Sequence, residues 1–504
     1  MTFTLESLFL ILSTTIVFYV LRGRARAYVL LASSCYFIWQ LSSQAFITLA
    51  AATLLSYAAG LALGKLQKKS TDDTTGKAAK KQELAFFTAV TLIAVAVLVF
   101  YKYVPHILTL NGHVVPKGAT PANLPGKIAQ IMIPVGLSYY MFQVIAYFAD
   151  IKSGRIRAEK NFAHFALFMS FFPKFVSGPI ERPDEMLPQI KKLGQVRLFA
   201  DLRLERALTY ITVGYAMKLI IADRLAPFAY VMTASEHYSV LILWFEIFMY
   251  SIQLYADFAG YSCIAIGVAH LLGMDLVQNF HAPYLSAGFT EFWRRWHMSL
   301  SRFLRDYVYI SLGGNRKGFI RKCLNLMVVF VICGLWHGSG IRYLAWGALH
   351  GAIIVAENFF SRGKKKSETG LSVPAHVFRF FRRILTFVLV SIMWIFFGAP
   401  SFSVAISYMT KAFTQWSGDI VPLFLGHLES MTTRADLIVV FISVIVLLVC
   451  DVFAYGMKKP FAEILCGVPT LVRGIVLVIL ILMIMVFGMY GPAIDPAQFM
   501  YMAF

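Results

Sequence analysis

A chain of 504 residues with 59% hydrophobic and only 14% charged residues carries more apolar surface than soluble cores of ordinary domain size can hide, so lipid must cover much of it. The formal charge of +20 would point to nucleic acid in a soluble protein. Here the basic residues sit in short clusters between apolar runs, which reports membrane topology and sets nucleic acid aside as a partner.

The first apolar run, Leu8 to Leu21, follows Glu6 and precedes Arg22, Arg24 and Arg26. That order reverses a secretory signal and reads as a retained span with an outside N-terminus. Most Lys and Arg then collect at residues 22–26, 65–81, 152–160, 182–206, 294–322, 362–383 and 458–459. The loops 104–128, 224–237, 338–342 and 399–437 hold only Lys117, Lys127, Arg224, Arg342, Lys411 and Arg434. Under the positive-inside rule the first set is cytoplasmic and the second is outside. Spans near 8–21, 27–41, 45–64, 84–103, 129–149, 206–223, 239–258, 323–337, 342–360, 382–398, 438–455 and 472–490 satisfy the alternation, about twelve with both termini outside. The Lys/Thr/Asp-rich stretch Lys65 to Lys81 reads as a solvated connection. Two apolar segments, Phe162 to Ile180 and Tyr261 to Met274, start and end beside inside clusters and read as re-entrant or interfacial. The first is broken by Pro173, Gly178 and Pro179, and broken backbone at membrane depth needs protein or a wet cavity to satisfy its amides. Glu246 and Asp257, in and near the end of one span, are the carboxylates that a transporter or flippase would use for coupling; the plainer reading of Glu246 is a paired or cavity-facing carboxylate. The six cysteines, Cys35, Cys263, Cys323, Cys333, Cys450 and Cys466, form no Cys-x-x-Cys pair and indicate neither a disulfide framework nor a zinc knuckle.

Asn279 to Lys322 differs in kind from the spans around it. From Thr290, the residues Phe292, Trp293, Trp296, Leu300, Phe303, Leu304, Tyr307 and Val308 recur at spacings of three and four, with Arg294, Arg295, Arg302 and Arg305 among the rest. This predicts one amphipathic helix near the inner interface, ended by Gly313-Gly314-Asn315. Its basic side chains suit either anionic lipid or an anionic donor, such as coenzyme A phosphates or an acidic carrier protein bearing phosphopantetheine. The apolar run from Cys323 then delivers His337 in the outer part of a span, before Gly338-Ser339-Gly340. A histidine there is costly unless it lines something wet or is hydrogen-bonded, and its own sequence leaves a structural and a functional role both open. The neighbouring glycines would let a substrate approach the backbone. His281, His297 and His350 lie nearby, but no pair has i, i+4 spacing and no Asp or Glu joins them in a ligand pattern. No metal site is therefore expected, and His281 and His350 read as structural.

FWRRWHMSLSRFLRDYVYISLGGNRKG followed by GLWHGSGIRYLAWGALHG resembles the membrane-bound O-acyltransferase (MBOAT) family, within it the bacterial branch of alginate and peptidoglycan O-acetylation subunits and the D-alanyl transferases of teichoic acid. PVGLSYYMFQVIAYFADI at Pro134, FFPKFVSGPIERPDEM at Phe171 and QLYADFAGYSCIAIGVAHLLG at Gln253 support it, so the resemblance covers most of residues 130–355. It implies an all-α integral membrane fold with inner and outer funnels: N-terminal helices over 1–128, a catalytic core over 129–360 that includes the amphipathic segment 290–322, and C-terminal helices over 361–504. The family's invariant histidine falls on His337 and its second histidine on His297. Two departures, Arg302 in place of a small or neutral residue and Ser311 in place of proline, bear on the donor. The length after residue 360 and the ending AQFMYMAF resemble the polysaccharide-acetylating members.

The implied reaction moves an acyl group, most simply acetyl, from a cytoplasmic thioester (acetyl-CoA or an acyl carrier protein) to a hydroxyl of an extracytoplasmic partner or cell-envelope polysaccharide. The alternative acyl group is D-alanyl. The location would be the bacterial inner membrane, with lipids as neighbours and no bound cofactor. His337 is expected as general base, with His297, near the inner surface, in support. Trp336, Trp296, Arg294, Arg305, Asp306, Asn315 and Arg316 are expected on the donor side, and His297, Trp336 and nearby amides are candidates to stabilise the oxyanion.

Overall fold

The computed structural model describes residues 5–71, 76–110, 133–198, 203–229, 239–362, 373–416 and 420–490, and its regular structure there is helical, without strands. Lipid leaves backbone groups no outside partner, so runs rich in Leu, Ile, Val and Phe close their hydrogen bonds within one segment. Seven described helices are long and apolar enough to cross a membrane: Ser43–Thr71, Lys77–Leu108, Val240–Leu271, Gly318–His337, His376–Gly398, Arg434–Met457 and Thr470–Phe487. The other expected spans fall short of that standard. Leu5–Val20, Ala25–Leu41 and Leu137–Lys152 are shorter, residues 206–223 change from α to π geometry at Ala216, and Ile341–Phe360 carries Arg342, His350 and Glu357. A count of twelve is thus not reproduced. Lys117, Lys127 and the ending AQFMYMAF lie outside the described residues.

By packing, the chain divides into two compact units, residues 1–207 with 265–277, and residues 208–264 with 278–504. In the first, the helix Ser43–Thr71 runs into the stretch Lys65 to Lys81 expected to be a solvated connection, and the next helix already begins at Gly76. Lys, Gln and Leu are good helix formers, and they extend both helices past the apolar runs. Phe162–Ile180 is broken as expected, into helices Phe162–Ser170 and Phe172–Phe175. Protein satisfies the break: the Phe172 amide donates to Ser34 Oγ at 3.1 Å, and Lys174 Nζ donates to the Phe168 carbonyl at 2.8 Å.

The expected re-entrant segment at Tyr261 proves to be the continuation of one helix, Val240–Leu271, about 48 Å long at 1.5 Å per residue, whose residues through Ile264 belong to the second unit. Gly260 does not break it. A Cβ there would lie 2.9 Å from the Gly214 carbonyl oxygen, so the glycine serves a close helix approach. Asp257 is neutralised in place by Lys218 at 2.6 Å, which also reaches Asp223 at 2.7 Å. Helices Gly318–His337 and Ile341–Phe360 form a hairpin in contact along their backbones. A Cβ on Gly334 would come within 2.2 Å of the Tyr343 carbonyl oxygen, and one on Gly347 within 2.3 Å of that of Phe330. This hairpin fixes what surrounds His337.

Candidate active site

His337 is the last residue of its helix and is buried. Three rings enclose it edge-on, Trp336 at 4.8 Å, Trp346 at 5.1 Å and Phe397 at 5.2 Å between centroids. Trp346 comes from the other arm of the hairpin and stacks on Trp394 at 5.6 Å. The glycine after the histidine does not open the backbone to substrate as expected. A Cβ on Gly338 would lie 2.0 Å from Tyr343 Cε2, so the tyrosine ring already occupies that space.

His297 departs from expectation more sharply. The single amphipathic helix is instead two short helices, Phe289–Trp293 and Met298–Phe303, followed by a π-helical turn Leu304–Tyr309. His297 sits between the two helices with φ 44°, a left-handed conformation that costs a non-glycine residue about 1–3 kcal/mol. Asn279 imposes the bend: its carbonyl accepts the Met298 amide at 2.9 Å, and its Oδ1 accepts the Ser299 amide at 3.3 Å and hydroxyl at 2.6 Å. The apolar face predicted from the spacing exists, but protein covers it. Phe292, Trp293, Trp296, Leu300, Phe303 and Leu304 are all buried, and Trp296 packs against Phe280, Phe292 and Trp394 at 5.0, 5.5 and 5.0 Å. His297 is therefore buried too, 4.8 Å from Phe258 and 6.0 Å from Trp336 between ring centroids. Both imidazoles pack against the same indole, and His297 sits in a buried bend between two helices instead of on the one continuous helix expected. Burial pushes the His297 pKa well below the histidine range, which keeps the ring neutral at pH 7.

The structure thus gathers His297, His337, Trp336 and Trp296 into one aromatic cluster. The remaining donor-side candidates lie on the stretch of chain from residue 294 to 316. Arg294, Arg305, Asn315 and Arg316 are exposed. Arg305 is paired with Asp306 at 2.6 Å, and Asn315 accepts from the Tyr309 hydroxyl. Gly313 and Gly314 have positive φ as expected, and Asn325 Nδ2 donates to the Gly314 carbonyl at 3.1 Å, tying this turn to the helix that ends in His337. His281 and His350 have defined partners: His281 Nε2 donates to the Ala454 carbonyl at 3.0 Å, while its Nδ1 accepts from Arg295, and His350 Nδ1 accepts from Trp293 Nε1 at 3.2 Å.

Sequence reasoning missed Tyr343, Trp346, Trp394 and Phe397. The first two lie in the same block as His337 and could have been flagged by proximity; the other two come from a span whose aromatic residues carry no local mark. Chemically, the cluster offers a buried imidazole in water-poor surroundings, where a neutral base and directed donors act strongly.

The MBOAT, membrane-bound O-acyltransferase family, model matches residues 153–399, which contain both histidines and all their ring partners. The probable alginate O-acetylase of Azotobacter vinelandii is 30% identical over 90% of this chain and 84% of its own length. The peptidoglycan O-acetyltransferase of Helicobacter pylori is 32% identical over 62% of each chain. The teichoic acid D-alanyltransferase of Bacillus subtilis is 30% identical over 46% of this chain and 60% of its own. With the aromatic cluster around His337 inside the matched segment and a relative aligned along nearly the whole chain, this multi-pass membrane protein belongs to the membrane-bound O-acyltransferase family.

Proposed function

We propose that this acyltransferase moves an acetyl group from a cytoplasmic thioester, acetyl-CoA or an acetylated carrier protein, to a hydroxyl on the outer face of the bacterial inner membrane. The observation that carries the reading is the buried His337 in its aromatic enclosure. A hydroxyl group holds its proton at neutral pH and must lose it as its oxygen attacks the thioester carbon. As general base, the His337 ring takes that proton, the carbon–oxygen bond forms, and the carbonyl oxygen gains the negative charge. Collapse of the tetrahedral intermediate breaks the carbon–sulfur bond, and the thiolate recovers the proton from the imidazolium. His297, across Trp336, supports this step as a donor-side positioning group or an oxyanion donor. Arg294, Arg305 and Arg316, all exposed, supply the positive field for the donor's phosphates.

Acetyl is favoured over D-alanyl because the acetylating relative of Azotobacter aligns with 90% of the chain, against 46% for the D-alanyltransferase of Bacillus. The names of the relatives favour a cell-envelope polysaccharide as final acceptor, reached directly or through an extracytoplasmic partner. A transporter role loses its footing, since Glu246 accepts a hydrogen bond from Tyr408 at 2.6 Å and Asp257 is paired with Lys218. The test is purified protein in liposomes given acetyl-CoA labelled in the acetyl group or a D-alanyl carrier protein. Label passing from acetyl-CoA to an outer-face acceptor supports the reading; exclusive use of the D-alanyl carrier replaces the acetyl assignment.

A further inference from the structure

The break in the segment from Phe162 to Ile180 buries a lysine among aromatic side chains. Lys174, on the short helix Phe172–Phe175, is 4% exposed. An ammonium carries three N–H donors, and here the Phe168 carbonyl takes one of them at 2.8 Å, with the Phe168 ring 5.2 Å away. Among the described residues no carboxylate lies within ion-pair distance of the amine. Glu181 acts on it from farther off, and that carboxylate accepts the Val277 amide at 2.8 Å. Burial of a charge is costly unless a counter-charge and hydrogen bonds join it, so the surroundings of Lys174 leave both donors and charge unfinished.

A second element meets the lysine at a cavity. Tyr139, Tyr140 and Gln143, on one face of the helix Leu137–Lys152, line it together with Lys174 and Phe175. The two elements approach closely because a glycine starts the longer helix: a Cβ on Gly136 would lie 2.9 Å from the Phe175 carbonyl oxygen. The Tyr140 ring then stacks on Phe175 at 6.2 Å and walls the cavity. Gln143 is 3% exposed, and its side-chain amide has no hydrogen bond to the described residues, which is an independent sign that something beyond the protein completes it. About 10 Å³ is open to the centre of a water-sized group, room for one. That size rules out a carboxylate or phosphate ligand. Water could satisfy the amide of Gln143 but not the charge of Lys174, whereas a monatomic anion accepts N–H donors from both and neutralises the ammonium.

We propose that Lys174 and Gln143 form a halide site, which takes one chloride ion and so seats the broken segment Phe162–Ile180 against the helix Leu137–Lys152. The site belongs to the first compact unit and is independent of the assignment of acyl donor and acceptor.

The experiment follows thermal unfolding of the full-length protein in detergent while chloride replaces gluconate at constant ionic strength. An ion that binds only the folded chain stabilises it by mass action, so raising chloride from about 1 mM to about 200 mM should lift the midpoint by about 2 °C or more. Bromide should substitute for chloride. Lys174→Met should remove the dependence, and Gln143→Leu should weaken it. In crystals of the unaltered protein grown with bromide, an anomalous difference peak should lie between Lys174 Nζ and the Gln143 amide, which keeps the test open if a variant fails to fold. Equal midpoints in chloride and gluconate would show that Glu181 or loss of the proton settles the amine, and would overturn the proposal. So would a chloride dependence that survives Lys174→Met, or bromide peaks on the surface alone, which would mean an adventitious ion only.

Discussion

Gly338 and His297 each carry a backbone requirement that their neighbours enforce, and each marks the limit of what one residue's letter conveys. His337 was legible because its block is contiguous and distinctive. The glycine after it was misread as an opening for substrate, because a missing side chain looks the same whether a ligand or a neighbouring ring fills the space. Gly338→Ala should displace the Tyr343 ring and cost about 1–3 kcal/mol, the usual range for overpacking. Thermal unfolding in detergent measures the loss, and turnover should fall with it, because the displaced ring packs on Phe397 beside His337. An unshifted midpoint would mean that Tyr343 yields without resistance. Asn279→Ala removes the acceptor for Ser299 and should destabilise the left-handed bend at His297 by about 1–3 kcal/mol, the cost of an unsatisfied buried donor.

The segment from Asn279 to Tyr309 shows why element-level reading succeeded by halves. The three-and-four spacing named the apolar face well as far as Leu304, where Phe292, Trp293, Trp296, Leu300, Phe303 and Leu304 are buried, while Tyr307 and Val308 beyond it are only half-buried. Spacing cannot say what covers a face, and here the cover is Phe280, Tyr284 and Trp394 instead of lipid. Nor could it show that Asn279 interrupts the helix, because a side chain-to-backbone bond across about twenty residues leaves no periodic trace. The same segment is pinned at its start by Glu291. Its carboxylate accepts the Ala287 amide at 3.0 Å and the Tyr455 hydroxyl at 3.0 Å, and pairs with Arg295 at 3.1 Å. Burial alone would raise its pKa, but these donors and the Arg295 charge outweigh burial and hold it below the usual carboxylate range. A depressed value means that the ionised form stabilises the fold above about pH 4.3, the unfolded value, and that this contribution is lost as pH falls through the lower folded value. The thermal midpoint should therefore drop on acidification below about pH 4, and Glu291→Gln should shrink that acid-dependent drop while costing about 1–2 kcal/mol at neutral pH. A variant with the parent's acid profile would show that Glu291 is not the group responsible.

At the scale of the whole molecule, composition and basic clusters were enough to establish a multi-pass membrane protein, and the resemblance of residues 130–355 to a family was enough to establish its activity class. Span number was less legible. Tyr261 to Met274 reads as a segment separate from the span before it because it lies beside inside clusters, whereas Lys218, 39 residues before Asp257, neutralises that carboxylate and one long helix continues. The charge-derived topology still makes a direct prediction: single cysteines at Lys77 and Arg362, in a background lacking the native six, should resist impermeant labelling in intact cells, while one at exposed Arg434 should label. The opposite pattern would invert the molecule and with it the assignment of donor and acceptor sides. Whether His337 is the general base is decided by steady-state transfer with purified, folded His337→Ala and His297→Ala proteins. General-base catalysis contributes about 10²- to 10⁴-fold, so His337→Ala should lose turnover on that scale while His297→Ala keeps measurable transfer with impaired donor use. Full loss at His297 with substantial turnover remaining at His337 would contradict the claim and move the proton transfer to the other side of Trp336.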